Sequence, residues 1–484
     1  MAKLNDQIHA ALLRTDFYRF MVKCFETLNP GTIFQESWYL RVIAADLAAV
    51  AHGDIRRLVL NLPPRSLKSV ASSVALVAWY LGHYPHREVV CASYGMDLAL
   101  KFAHDTRTIM QSAWYQAIFP TRLLPSRTAV ADFRTVQGGG RLATSIGGPL
   151  TGRGADLGVV DDPGKPDEML SESVRTATNQ WLRSTFYSRL NDKENGSIVL
   201  AMQRLHVMDM TGFVIQEGGW TVRRLPAIAE ADERYCYKTV GGKDKLVGRK
   251  VGGVLHPARE SLATLVKTRA ALGSYLFAAQ YQQNPMAPDG NIVKLTWFGR
   301  YDELPASFDR IFQSWDTASK TGELNSYSVC TTWGLKDRRA YLLHVFRERL
   351  EYPDLKRAVV RLWQEYHPDA ILVEDKSSGM ALLQELAKDG IYCLKPIKPE
   401  GTKEMRMSRQ TAMIEGGGVL LPRSAFWLPD YETELMLFPI GEHTDQVDST
   451  SQALQWVKDL DADTGLLEFY REENARRLAR GGDA

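Results

Sequence analysis

Five carboxylates in the C-terminal half stand where acids can work jointly. Asp316 closes the apolar run that begins at Ile311, and Glu374 and Asp375 close another that begins at Ile371. Asp445 and Asp448 are three apart, a spacing that puts both on one face of a helix. Clustered carboxylates repel one another unless a cation joins them, and an all-oxygen donor set suits Mg2+ or Mn2+. Two such ions can activate water and stabilise the leaving oxygen of a phosphodiester. The chemistry expected here is metal-dependent cutting of nucleic acid, with Asp316, Glu374, Asp375, Asp445 and Asp448 as candidate ligands. Lys403, Arg406 and Arg409 follow one another at helical turns and could present a basic face to a DNA backbone.

The N-terminal half holds a different candidate. The segment Asn61 to Ser69 lies between a short strand pattern (57–60) and a helix pattern (69–81). Backbone N–H groups at a helix N-terminus in that setting can meet phosphates. Lys68 would reach the terminal phosphates of ATP and Ser69 would hold Mg2+, with Arg65 and Ser66 in the same turn. Both glycines of the usual phosphate-loop pattern are leucines, Leu62 and Leu67. Asp161 and Asp162 end a later apolar strand, where one acid can hold Mg2+ and its neighbour can orient water. Arg153, between Gly152 and Gly154, is a loop arginine that could act as a finger across a subunit boundary. Gln203 and Arg204 end the next strand and could sense the γ-phosphate.

These residues need elements to carry them. Residues 1–50 show apolar positions at helical spacing (Ile8, Leu12, Leu13, Phe17, Phe20, Met21). Strand and helix patterns then alternate through 57–60, 69–81, 88–92, 96–112, 157–161 and 197–202, the order of a parallel sheet with crossovers. The stretch 230–304, with its glycine- and lysine-rich part Val240–Gly253, reads as a small subdomain and linker. From about 308 the strands 310–315, 328–333 and 340–345 form a meander. A helix (353–366), strand (370–373), helix (379–389) and strand (391–396) follow, and last helices span about 402–416 and 446–459. Three strands and then alternating helix and strand is the order of the ribonuclease H-like fold. Its first and fourth strands are neighbours, which would bring Asp316 to Glu374 or Asp375. The fold class expected is therefore α/β: a P-loop NTPase unit with a parallel sheet, then a ribonuclease H-like unit.

Composition excludes little else. The chain has 484 residues, 45% hydrophobic and 24% charged, which is ordinary globular composition for two or three domains. A formal net charge of +2 means any DNA contact must come from a local basic face, such as the arginine-rich stretch 175–204. The five cysteines, at 24, 91, 236, 330 and 393, form no metal knuckle or redox pair and suggest reduced thiols. No run approaches the roughly 18 apolar residues of a membrane span, and the N-terminus does not read as a secretory signal.

Taken together, residues 35 to 460 resemble the large terminase subunit of tailed bacteriophages and prophages. The resemblance rests on 62–69, 150–163, Trp181 with Ser188 to Leu190, 202–206, 314–316, 373–379 and 443–448. It implies a motor that uses ATP to drive double-stranded DNA through a portal protein into a procapsid, and a nuclease that cuts concatemeric DNA. It implies a small terminase subunit as partner, a homo-oligomeric ring on the portal, and the host cytoplasm as location. The family's phosphate-binding lysine falls on Lys68, its loop arginine on Arg65, its Mg2+ acid on Asp161 and its catalytic acid on Asp162. The nuclease acids fall on Asp316, on Glu374 or Asp375, and on Asp445 or Asp448. The chain departs from the family at Leu67, at Leu205 in Gln203 to His206, at Asn325 and Ser326, and at Thr444, where relatives often carry an acid.

The domains expected are an ATPase motor (1–229), the small subdomain and linker (230–304), the nuclease (305–464) and a charged tail (465–484). Two other readings remain open from sequence: a transposase- or resolvase-type nuclease, and a decayed prophage protein that only docks to a portal or small subunit.

Overall fold

The apolar runs of the first half are buried on both sides, as strands flanked by helices on either face must be. In the computed structural model, which describes residues 2–150, 152–285, 292–317, 327–375, 377–439 and 443–460, they build an eight-stranded sheet. Its strands are β1 (Arg57–Asn61), β2 (Glu88–Ser93), β3 (Leu123–Thr128), β4 (Asp132–Thr135), β5 (Gly140–Ser145), β6 (Leu157–Asp161), β7 (Ser197–Met202) and β8 (Thr221–Arg224). They lie in the order β3-β4-β5-β2-β6-β7-β1-β8. From β5 to β8 all neighbours are parallel, while β3 and β4 add an antiparallel edge.

Alternation along the strands splits the core. Leu58, Leu60, Val89, Cys91, Leu157 and Val159 pack under the helices Phe17–Leu28, Trp38–His52 and Leu76–His83. Val59, Val90, Val160, Ile198 and Leu200 pack on the other face, against Trp181, Leu182, Phe186 and Met210. Phe17, Phe20, Met21 and Cys24 are the buried stripe of their helix, which Asp16 caps by accepting from the Arg19 N–H at 3.2 Å.

The helix expected over 69–81 begins as a π-helical segment, Val70–Ala75, and becomes α-helical at Leu76. Ser72 Oγ donates to the Lys68 carbonyl at 2.9 Å, and Ser73 Oγ reaches Asp161, so two side chains hydrogen-bond within and beyond the first turns.

The chain divides into two compact units, Met1–Arg269 with Leu276–Ala287, and Ala270–Tyr275 with Pro288–Ala484. The glycine- and lysine-rich stretch, read above as part of a separate subdomain, contributes the turn and second strand of a hairpin, β9 (Glu233–Lys238) and β10 (Asp244–Arg249). Tyr235 of β9 stacks on Trp38, with ring centroids 5.3 Å apart, and the Arg249 guanidinium of β10 lies over the same ring, 6.0 Å from its centroid. These contacts attach the hairpin to the first unit.

The second unit holds a seven-stranded sheet in the order β11-β17-β14-β13-β12-β15-β16. The strands are β11 (Gly299–Tyr301), β12 (Arg310–Asp316), β13 (Ser328–Lys336), β14 (Arg339–Glu348), β15 (Ala370–Glu374), β16 (Leu394–Ile397) and β17 (Val419–Pro422). β12, β13 and β14 form the expected antiparallel meander, and β15 pairs parallel to β12. The helices Tyr352–Tyr366 and Ser377–Lys388 cover one face, over Trp315, Cys330, Ile371 and Val373. A helix over 445–460 covers the other, with Val447, Leu454 and Val457 against Phe312, Trp333 and Leu372. Its Ser449 exchanges hydrogen bonds of 2.7 Å with Ser314. This is the ribonuclease H-like arrangement. The helix expected over 402–416 breaks into Lys403–Ser408 and Thr411–Glu415. β17 and the helix Leu428–Leu437 have no counterpart in the reading of the sequence. The expectations for Asn325, Ser326 and the tail 465–484 lie outside the described residues. Among the described residues no helix is long and apolar enough to cross a membrane.

Candidate active sites

The first site lies at the carboxyl ends of β1 and β6, with β7 between them. Asn61 pairs with Met202 and Asp161 with Ala201, so sheet register brings the loop after β1 to the two aspartates. The loop backbone winds in alternating senses: Arg65 and Leu67 both sit at φ 62, a left-handed conformation unusual for side chains of their size. Such alternation can point successive N–H groups into one concavity, an anion-binding shape usually made with glycine. Leu67 therefore takes a left-handed backbone conformation without being glycine.

Around this loop the polar groups converge. Lys68 Nζ lies 3.2 Å from Asp162 Oδ2, and Ser69 Oγ donates to Asp161 Oδ1 at 3.1 Å. Ser73, which the sequence reading passed over, donates to Asp161 Oδ2 at 2.7 Å. Burial and the neighbouring Asp162 charge push Asp161 up to about 7, against the opposing pull of Lys68 and the two hydroxyls. Asp162 is held at φ 44, its own N–H donating to Ala201 and its carbonyl accepting from Tyr94.

The remaining candidates separate. Ser66 is buried, and its hydroxyl donates to the Pro63 carbonyl at 2.7 Å, closing the loop on itself. Arg65 is exposed. Gln203 stays with the site: its N–H donates to Asp162 Oδ1 at 3.3 Å, and its Oε1 finds no partner among the described residues. Arg204 turns away. Its Nε meets both oxygens of Asp209 at 2.9 Å, while Asp209 also accepts from the N–H groups of Leu205 and Gly212. The guanidinium thus staples the loop after β7 to a buried aspartate that caps the next helix. Asp209 was missed; the signal available was an aspartate three residues before Gly212 at the start of an apolar run. Arg153 is also engaged within the chain, its Nη2 2.9 Å from Asp132 Oδ2.

The second site is built by the register of the other sheet. Trp315 pairs with Val373, so the next residues, Asp316 and Glu374, end adjacent parallel strands on one face. Asp375 lies past the strand end. Its N–H donates to the Ile397 carbonyl at 2.7 Å, and its carboxylate is 4.0 Å from Lys398 Nζ. Asp316, Glu374 and Asp448 line one cavity of about 300 Å³, together with Lys398, Arg406 and Arg409. Asp445 is half-buried one turn before Asp448, outside that lining.

Charge in this cavity is unevenly met. Asp448 is almost fully buried and both its oxygens are taken, one by Lys403 Nζ and the other by Arg406 Nη2 at 2.6 Å. Lys403 also donates to Thr444 Oγ1 at 2.8 Å, so this threonine serves as a neutral acceptor. Asp316 is held well above the usual carboxylate range by burial, then by the Asp448 and Glu374 charges, with Lys403 opposing. Asp445 is raised too, chiefly by burial. Among the described residues no three acid, imidazole or thiol groups form a ready-made chelate. The donor set nevertheless fits a hard cation: all the donors are oxygens, and a cation would offset the burial and the neighbouring Asp448 and Glu374 charges that disfavour ionised Asp316.

Residues 313–456 match the family model described as Terminase RNaseH-like domain. No curated protein matches the chain. Among solved structures, the large terminase of the thermophilic bacteriophage D6E in complex with ADP is similar at 8% identity and a TM-score of 0.46, over 90% of this chain and 98% of that one. The HK97 bacteriophage large terminase is similar at 10% identity and a TM-score of 0.33, over 81% and 86%. The large terminase nuclease of thermophilic phage G20c with bound magnesium is similar at 17% identity and a TM-score of 0.27, over 34% and 97%. The residues whose register sets Glu374 beside Asp316 thus lie within the segment that matches the terminase RNaseH-like domain.

Proposed function

We propose that this chain is a large terminase subunit, which drives double-stranded viral DNA into a procapsid by ATP hydrolysis and cuts concatemeric DNA. The observation that carries the reading is the convergence of Asp316, Glu374 and Asp448 on one cavity within the terminase-type domain.

In the cutting reaction Asp316, Glu374 and Asp448 would hold Mg2+ or Mn2+, as the structure of the G20c relative with magnesium encourages. Bound there, divalent cations supply the positive charge that activates water and stabilises the leaving oxygen. The chain's own part is to bury the acids, hold Lys403 and Arg406 against Asp448, and present Arg406, Arg409 and Lys398 to the DNA backbone. In the motor, Lys68 would leave Asp162 for the terminal phosphates of ATP. Ser69 and Asp161 would share Mg2+, and Asp162 would orient the attacking water. Gln203, hydrogen-bonded to Asp162, is the group best placed to report on the γ-phosphate. Arg204 has a structural role, and Arg153 can act in a neighbouring subunit only by leaving Asp132.

The expected partners are a portal protein, a small terminase subunit and further copies of this chain in a ring, in the cytoplasm of a bacterial host. The test is plasmid cleavage by the purified protein in Mn2+ or Mg2+, with EDTA and Asp316→Ala as controls. Cutting that needs metal and is lost in the variant supports the nuclease. Folded protein that cuts with neither metal, or an Asp316→Ala variant that cuts normally, overturns it.

A further inference from the structure

The row of paired residues that contains the acids continues beyond them. Asp316 pairs with Val329 on β13, and Val329 pairs with Arg347 on β14. Paired residues share a face, so Glu374, Asp316, Val329 and Arg347 lie side by side across four strands. Arg347 stands two strands from Asp316, about 10 Å at ordinary strand spacing. Ser328 pairs with Glu348, so Arg349, just past β14, and Tyr327, just before β13, stand at the same end of the strand pair.

These residues are packed on one another. The Arg347 and Arg349 guanidinium carbons lie 4.0 and 4.5 Å from the Tyr327 ring centroid, and His443 meets that ring edge-on at 5.3 Å. A guanidinium that lies against a ring uses its face and keeps its in-plane N–H donors for an oxyanion. The local acid is mostly occupied: Glu434 lies 3.7 Å from Arg347, but its oxygens already accept from the Gln446 N–H and side chain. Arg349 is exposed and pairs with no acid among the described residues. Lys398, Arg406 and Arg409 line the cavity around the same acids.

We propose that Tyr327, Arg347 and Arg349 form a platform that holds the phosphodiester backbone of the cut DNA strand beside the scissile phosphate. The proposal rests on the nuclease reading of the adjoining acids. Arg347 and Arg349 supply forked donors to phosphate oxygens, and Tyr327 stacks with both to fix their planes. They are positioning residues; the reacting atoms are left to the acids.

The test uses the full chain and a fluorescent DNA duplex in EDTA, where binding is read without cutting, over a range of salt. Arg349→Glu is compared with Arg339→Glu, an exposed arginine at the other end of the same strand, roughly 30 Å away. Arg349→Glu is expected to weaken binding roughly tenfold at low salt and to flatten the salt dependence by one or two counterions. Tyr327→Ala is expected to weaken it about threefold, and Arg339→Glu to change it by less than about twofold. With Mn2+, the DNA concentration for half-maximal cutting should rise in Arg349→Glu by the factor seen in binding. Equal behaviour of the two glutamate variants would overturn the platform. Wild-type protein that never cuts while Arg349→Glu still loses binding would overturn the nuclease reading, and with it the platform's place beside a scissile phosphate, and leave only a DNA-binding surface.

Discussion

The two candidate sites answer the problem of a buried acid in opposite ways. Asp161 is met by neutral hydroxyls, from Ser69 and Ser73, while the nearby lysine goes to Asp162. Asp448 is gripped by two full charges, Lys403 and Arg406, from one short helix. Hydroxyl dipoles leave the Asp161 site short of positive charge, ready for a cation that arrives with a nucleotide. The second cavity carries its own counter-charge, which would have to yield part of Asp448 for that residue to ligate the proposed metal.

The sharpest way to break this comparison lies within the nuclease. Glu374→Gln should slow cutting about a hundredfold or more, because it removes a carboxylate from the cavity. Asp375→Asn should stay within about threefold of wild type. A reversed result would mean that Asp375, not Glu374, completes the acid set beside Asp316. Next in size, Lys68→Ala should reduce ATP hydrolysis about a hundredfold while Mn2+-dependent cutting holds within about twofold. Loss of both activities would show that the sites do not act separately.

A smaller effect follows from the raised Asp161 carboxyl. Between its ordinary value near 4 and about 7, the folded protein holds a proton that the unfolded chain has released, so stability falls as pH rises through that window. Asp161→Asn removes this dependence. Without metal the variant should melt higher than wild type at pH 8, and the gap should close as pH falls towards 4. Melting curves in EDTA that stay parallel at all pH values would mean that Asp161 is ionised in the folded state. The smallest effect is expected at Leu67. Its left-handed backbone costs about 1 kcal/mol, which glycine would relieve. Glycine's greater freedom in the unfolded chain offsets a similar amount. Leu67 also packs against the core, so Leu67→Gly should lower the melting midpoint by roughly 3 °C, through the lost packing. No loss would show that this packing adds nothing to the stability of the loop.

Much of the layout could be read in advance, because local chemistry writes it. Continuous apolar runs marked β6, β7, β12 and β15, and an acid at the end of such a run is visible in one dimension. The meander and the following βαβ order were legible for the same reason. The hairpin β9–β10 was harder. Its exposed residues carry little periodicity, and its attachment depends on Tyr235 meeting Trp38, far away in the chain. β17 was missed because four residues between two helices hold too short a pattern.

By itself, then, the sequence determined which strands end in acids, which segment could cradle phosphate, and the order of the elements. Only the tertiary structure decided which of those groups meet. Glu374 faces Asp316 because strand register aligns them, and Arg204 is spent on Asp209 while Gln203 stays beside Asp162. Lys403 and Arg406 reach Asp448 across many residues of chain, and Tyr327 meets Arg347 of β14 and Arg349 just beyond it. The physical reason is common to all of these: hydrogen-bonded register and packing couple residues without regard to their separation in sequence, and no local pattern records the pairing.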